Sequence, residues 1–126
     1  MTIDPARWAY LFEHPGADPA RDVLVLDSPA QRSVIVGVPD TASAPAVAAT
    51  LVREEGITLV ELCGGFGAAA VAEVAAAVGP GIAVGAVTFG PDQVAAATAY
   101  SAVATRAAAA VAERTPVRGP AGPAAG

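Results

Sequence analysis

From Ser33 onward the chain alternates strictly between short apolar, β-branched runs and alanine-rich stretches of helical length. Ser33–Val38, Ile57–Leu62 and Ile82–Val87 read as strands; Ala44–Glu55, Ala68–Val78 and the long segment from Pro91 to Arg114 read as helices. A repeated strand–helix order of this kind implies a parallel sheet joined by right-handed crossovers. Ser33–Val38 is apolar without a break, the pattern of a strand covered on both faces. The punctuation agrees. Ser43 is placed to cap the first helix, Pro45 falls in its first turn, Gly56 ends it, and Gly79-Pro80-Gly81 breaks the second.

Two further runs precede the alternation. Trp8–Glu13 interleaves aromatic and aliphatic residues and stops at His14-Pro15-Gly16, as a strand entering a turn does. Val23–Leu26 is a short apolar run followed by a turn at Ser28–Gln31, which suits an antiparallel edge strand against Ser33–Val38. The expected architecture is α/β: a small, mostly parallel open sheet of about five strands with three helices, in a flavodoxin/Rossmann-like three-layer arrangement. Residues 1–114 read as one domain. The Pro/Gly/Ala-rich tail 115–126 is too poor in large apolar residues to fold alone and is expected to be disordered.

Composition narrows the chemistry. The 126 residues carry a net charge of −5, and all seven basic residues are arginine. An acidic chain lacks the basic face that phosphate backbones and anionic membranes require, so neither nucleic acid nor membrane is expected as a partner. The stretch Val94–Ala112 is nearly long enough to span a bilayer, but it is mostly alanine and includes Arg106, which makes insertion poorly driven. Lysine is absent, which excludes Schiff-base aldolase chemistry, a pyridoxal-phosphate anchor and a Walker-type phosphate loop. The single cysteine, Cys63, cannot form an internal disulfide; with no leader pattern at the N-terminus, a cytoplasmic location is expected. Alanine-rich helices bury little area each, so a homo-oligomer assembled through them is expected.

Open parallel sheets bind ligands beyond the carboxyl ends of their strands. That rule brings together Glu13 and His14, Asp40, the turn Cys63-Gly64-Gly65-Phe66-Gly67, and Thr88 with Phe89. The glycine-rich turn leads into a helix, so its N–H groups and the helix dipole suit a carboxylate, a phosphate or a developing oxyanion. The competing reading is a tight turn that needs positive φ and close helix packing. Gly65-x-Gly67-x-x-Ala70 also fits the loose dinucleotide fingerprint, but it is not in the first βα unit and no acidic residue follows to hold a ribose. No cofactor is therefore expected.

Glu61 interrupts an apolar strand. If buried, it must be paired, for instance with Arg7 or Arg32, or else act as a general acid/base with a raised pKa. It shares a strand face with Leu59 and Cys63. Cys63 reads either as a nucleophile favoured by the following helix or as a small buried apolar residue. His14 reads as a general base or a loop residue. Asp40 reads as a ligand contact or, more simply, as a turn or capping residue. One histidine and one cysteine leave no recognisable metal spacing.

The octapeptide Val60-Glu61-Leu62-Cys63-Gly64-Gly65-Phe66-Gly67 resembles a family of short bacterial α/β proteins of unknown function. The resemblance spans roughly residues 7–89 and implies a small α/β fold with no established activity. The long C-terminal helix and the tail look like additions to the family pattern. The residues themselves favour a cofactor-independent enzyme of isomerase, cyclase or lyase type acting on a small anionic or carbonyl-bearing metabolite. Glu61, Cys63 and His14 are the catalytic candidates, and Gly64, Gly65, Phe66, Gly67, Asp40 and Thr88 the binding candidates. The alternative is a non-catalytic metabolite-binding or oligomeric assembly module.

Overall fold

A computed structural model of the chain describes residues 2–114; the tail 115–126 lies outside the described residues. The chain divides into two compact units, the first ending at Phe89 and the second beginning at Gly90. In the first unit the order is β1 (Ala6–Glu13), β2 (Val23–Asp27), β3 (Gln31–Val38), α1 (Ala44–Glu55), β4 (Leu59–Leu62), α2 (Ala68–Val78) and β5 (Ala83–Ala86). The five strands form one sheet in the order β2-β3-β1-β4-β5. β1 is parallel to both β3 and β4, β4 is parallel to β5, and β2 is the antiparallel edge against β3. The sheet is thus mostly parallel, as the alternating pattern requires.

The core lies on one face of this sheet. Ala9 and Leu11 of β1, Val34, Val36 and Val38 of β3, and Val60 and Leu62 of β4 are buried against Ala44 and Ala48 of α1 and Val74 of α2. Each fully buried valine or leucine side chain contributes roughly 1.5–3 kcal/mol of transfer free energy. Small residues on α1 and α2 let the helices approach the strands and each other closely. Trp8, Tyr10 and Phe12 alternate with the core residues of β1 and so project from the opposite face. Their rings follow one another at centroid spacings of 6.3 and 6.4 Å and are half-buried.

Local signals act at specific points. Gly56 ends α1 in the left-handed region at φ +66, and a Cβ there would lie 3.3 Å from Arg7 Cδ. Arg7 in turn donates to the Glu55 carbonyl at the end of the helix (3.2 Å). Arg32 on β3 binds both Asp27 of β2 and Glu55 of α1 at 2.9 Å, and the bond to Glu55 above all holds its guanidinium pKa above the ordinary value. The expected Ser43 cap does not form. A short 3₁₀ turn, Thr41–Ser43, precedes α1, and Asp40 caps that turn instead. The fourth strand also begins later than the apolar run suggests: Ile57 is buried, but pairing starts at Leu59.

The second unit contains α3 (Val94–Arg114), entered through a turn in which Gln93 N–H donates to Gly90 O (2.9 Å). Among the described residues α3 is long and apolar enough by length and composition to cross a bilayer, and none of its residues is buried.

Candidate functional site at the strand ends

Because β1, β3, β4 and β5 run parallel, their carboxyl ends open on one rim. Glu13 and His14, Asp40, Cys63, and Thr88 with Phe89 all follow those ends, so the residues expected there share one edge. They do not form one pocket.

The tightest grouping joins β1 to β4. Glu13 N–H donates to Cys63 Sγ at 3.3 Å, and Cys63 N–H donates to Leu11 O at 3.0 Å. A Cβ on Gly65 would lie 3.6 Å from Cys63 Sγ and 3.9 Å from Glu13 Oε1. Glu13, marked in the sequence only as a strand end, therefore stands beside the thiol and the glycine turn. Cys63 itself is half-buried.

The glycine turn is closed by Phe66 N–H donating to Cys63 O (3.1 Å). Positive φ is confined among the described glycines to Gly16, Gly56, Gly79 and Gly81, so left-handed backbone does not explain Gly64, Gly65 or Gly67. Close approach explains Gly64, where a Cβ would meet the Phe89 ring at 2.9 Å. Gly67 is extended, has open space around it and serves as the N-cap of α2 without a side-chain cap. The first bond closing α2 is Val71 N–H to Gly67 O, at 3.0 Å. The N–H groups of Gly64, Gly65, Gly67 and Ala68–Ala70 accordingly take no protein acceptor among the described residues. The turn presents positive partial charge to solvent.

Two binding candidates have structural roles. Phe66 is 5% exposed and packs in the core cluster, closing the turn through its N–H. Asp40 Oδ1 accepts from Ser43 N–H at 2.8 Å and Ser43 Oγ at 2.7 Å, so it holds the turn before α1. Thr88 is exposed next to Phe89, whose ring covers Gly64.

His14 follows Glu13 directly but makes no hydrogen bond or ring contact with Cys63. Its N–H donates to Val38 O (2.8 Å), and its ring meets the Phe12 ring edge-on at 6.4 Å. It lines an open concavity of about 410 Å³ with Phe12, Arg21, Asp22 and Gly37. That concavity shares no lining residue with the glycine turn.

Glu61 is exposed, not buried as its apolar strand suggests. The alternation of β4 turns Val60 and Leu62 into the core and Glu61 outward, opposite Tyr10 on the aromatic face. Neither Arg7 nor Arg32 pairs with it; both are held by Glu55, as described above. Glu61 also lines a second open concavity of about 410 Å³ with Arg7, Trp8, Thr58 and Leu59. Burial first, and then the negative charges of Cys63 and Glu61, raise the Tyr10 phenol above its ordinary pKa. Tyr10 is the titratable neighbour of Glu61 that the sequence pattern does not reveal. Its alternation with Trp8 and Phe12 is the pattern of an ordinary strand, and only the parallel pairing of β1 with β4 sets it beside Glu61. Among the described residues, no three His, Cys, Asp or Glu side chains gather as a metal site.

No curated protein and no solved structure matches the chain. A family pattern does match, over residues 6–102. It runs from β1 into the first part of α3, so the family pattern extends beyond β5 and the long helix is not wholly an addition to it. The chain belongs to the family of unknown function DUF6506.

Proposed function

We propose that the first unit binds a small anionic or carbonyl-bearing metabolite at the β1–β4 strand ends and moves a proton on it without a cofactor, in an isomerase-, cyclase- or lyase-type step. One observation carries this reading: Tyr10 and Glu61 face each other across two adjacent parallel strands, and Cys63, near enough for its charge to act on Tyr10, leads straight from β4 into Gly64, Gly65 and Gly67, whose N–H groups take no acceptor among the described residues. Carboxylate, phenol and thiol are proton carriers, and free N–H groups stabilise negative charge on a bound oxygen. In this reading Glu61 moves the proton, Tyr10 shares it, Cys63 borders the reacting atom, and the glycine turn holds the anion. His14, in a separate concavity, takes no part in the step.

The test is a thermal-shift screen of small carboxylates and carbonyl compounds, followed by NMR in D₂O on each compound that raises Tm. A bound compound should exchange a carbon-bound proton for deuterium with wild-type protein. That exchange should vanish with Glu61→Gln while the Tm shift persists. If no compound raises Tm, or exchange is unchanged in Glu61→Gln, the reading fails.

A second reading, an assembly module, draws support from α3, where Tyr100, Val103 and Val111 are exposed at helical spacing. Sedimentation of the full chain against one truncated before Pro91 tests it; equal association states would remove α3 as a contact.

A further inference from the structure

The edge strand β2 is exposed along its whole length, and four of its five residues are large and apolar. Val23, Leu24, Val25 and Leu26 are 40%, 55%, 41% and 56% exposed. Natural edge strands are usually blunted by lysine, proline, a bulge or a covering element. The sequence Val23-Leu24-Val25-Leu26-Asp27 contains neither proline nor lysine, and all five residues pair in unbroken register with β3.

The direction of its free hydrogen-bonding groups follows from the flanking bonds. Gly37 N–H donates to Asp22 O and Ser28 N–H donates to Gln31 O, each at 2.9 Å, in the same register as the strand pairs. Antiparallel pairs alternate between bonded and non-bonded positions. Asp22, Leu24, Leu26 and Ser28 therefore direct their backbone groups at β3. Val23, Val25 and Asp27 direct theirs away from the sheet, to the open edge. The side chains divide as well: Val23 and Val25 stand on the face of Val34 and Val36, and Leu24 and Leu26 on the face of Ile35.

We propose that β2 pairs antiparallel with β2 of a second copy about a two-fold axis through Val25, joining two sheets into one. This register matches the edge to itself. Val25 faces the partner's Val25, and Val23 faces the partner's Asp27, with both members of each pair presenting outward N–H and C=O groups. Leu24 then stands beside the partner's Leu26, and Leu26 beside the partner's Leu24, forming a four-leucine row on the aromatic face. The charges near the strand are already compensated. Asp27 is paired with Arg32 at 2.9 Å, while Asp22 accepts from Asp18 N–H at 2.7 Å and lies 3.6 Å from Arg21. The acidic ends thus do not oppose the pairing as free carboxylates would. A one-residue slip would set inward-directed backbone groups against outward-directed ones, and a two-residue slip would leave fewer outward residues paired, so the edge favours this register.

The full chain tests this by sedimentation velocity and by amide exchange followed by NMR at low and high protein concentration. Val23, Val25 and Asp27 N–H should exchange freely when dilute and become protected at least tenfold when concentrated. Val25→Pro removes only an outward donor, so it should abolish that protection at Val23 and Asp27 and reduce the association state, with unchanged circular dichroism. Leu24→Lys, which leaves every backbone donor in place, should do the same. Free exchange at all concentrations, or an association state unaffected by both variants, would overturn the proposal.

Discussion

Tyr10 and Glu61 lie opposite each other across the β1–β4 boundary, on the sheet face opposite α1 and α2. The pair couples a phenol whose proton is held more tightly than usual to an exposed carboxylate. Burial is the largest cause of that effect, followed by the charges of Cys63 and Glu61.

The coupling is measurable by ultraviolet titration. In a Tyr100→Phe background Tyr10 is the only tyrosine, and its phenolate absorbance should appear above the ordinary pH of about 10. Adding Glu61→Gln should lower the midpoint only part of the way, because burial remains. A midpoint unmoved by Glu61→Gln would separate the two groups. The sign for stability follows: a folded-state pKa raised above the unfolded value gives a contribution present below pH 10 and lost as pH rises through the folded value.

Asp22 has the opposite sign. The Asp18 N–H bond, first among several causes, lowers its pKa below the usual carboxylate range. Its contribution is present above about pH 4 and is lost as pH falls through the lowered value. Asp22→Asn should flatten the acid limb of a Tm-versus-pH curve. An unchanged acid limb would show that this turn is not part of the cooperative unit.

The glycine turn can be tested residue by residue. Gly67→Ala meets open space at a φ of −76, so its cost should be confined to the N-cap preference for glycine over alanine, about 0.5–1 kcal/mol. Gly56→Ala, forced to φ +66 against Arg7, should cost about 1–2 kcal/mol. Gly64→Ala should displace the exposed Phe89 ring, visible as changed ring-proton shifts, with little loss of stability. Urea unfolding of the three variants orders them; a Gly67→Ala cost equal to that of Gly56→Ala would contradict the geometry.

Leu11 is fully buried at the centre of the β1 core row. Leu11→Ala should cost about 2–5 kcal/mol in urea unfolding, since both transfer free energy and packing are lost. A cost below 1 kcal/mol would mean that the core is not packed against α1 and α2 as described.

Much of this protein is determined locally. Continuous β-branched runs, alanine-rich stretches and Gly-Pro breaks specify five strands, three helices and a mostly parallel sheet, because strand–helix alternation admits few connections. They also bring Glu13, His14, Cys63 and Phe89 to one edge. Side-chain direction and partner choice needed the tertiary structure. Glu61 is exposed because the pleat of β4 commits Val60 and Leu62 to the helices; Phe66 packs in the core cluster; Asp40 is occupied by Ser43, three residues on. Tyr10 gains its chemical setting only from the register of two strands whose paired residues are 51 apart, a long-range pairing that no local pattern encodes.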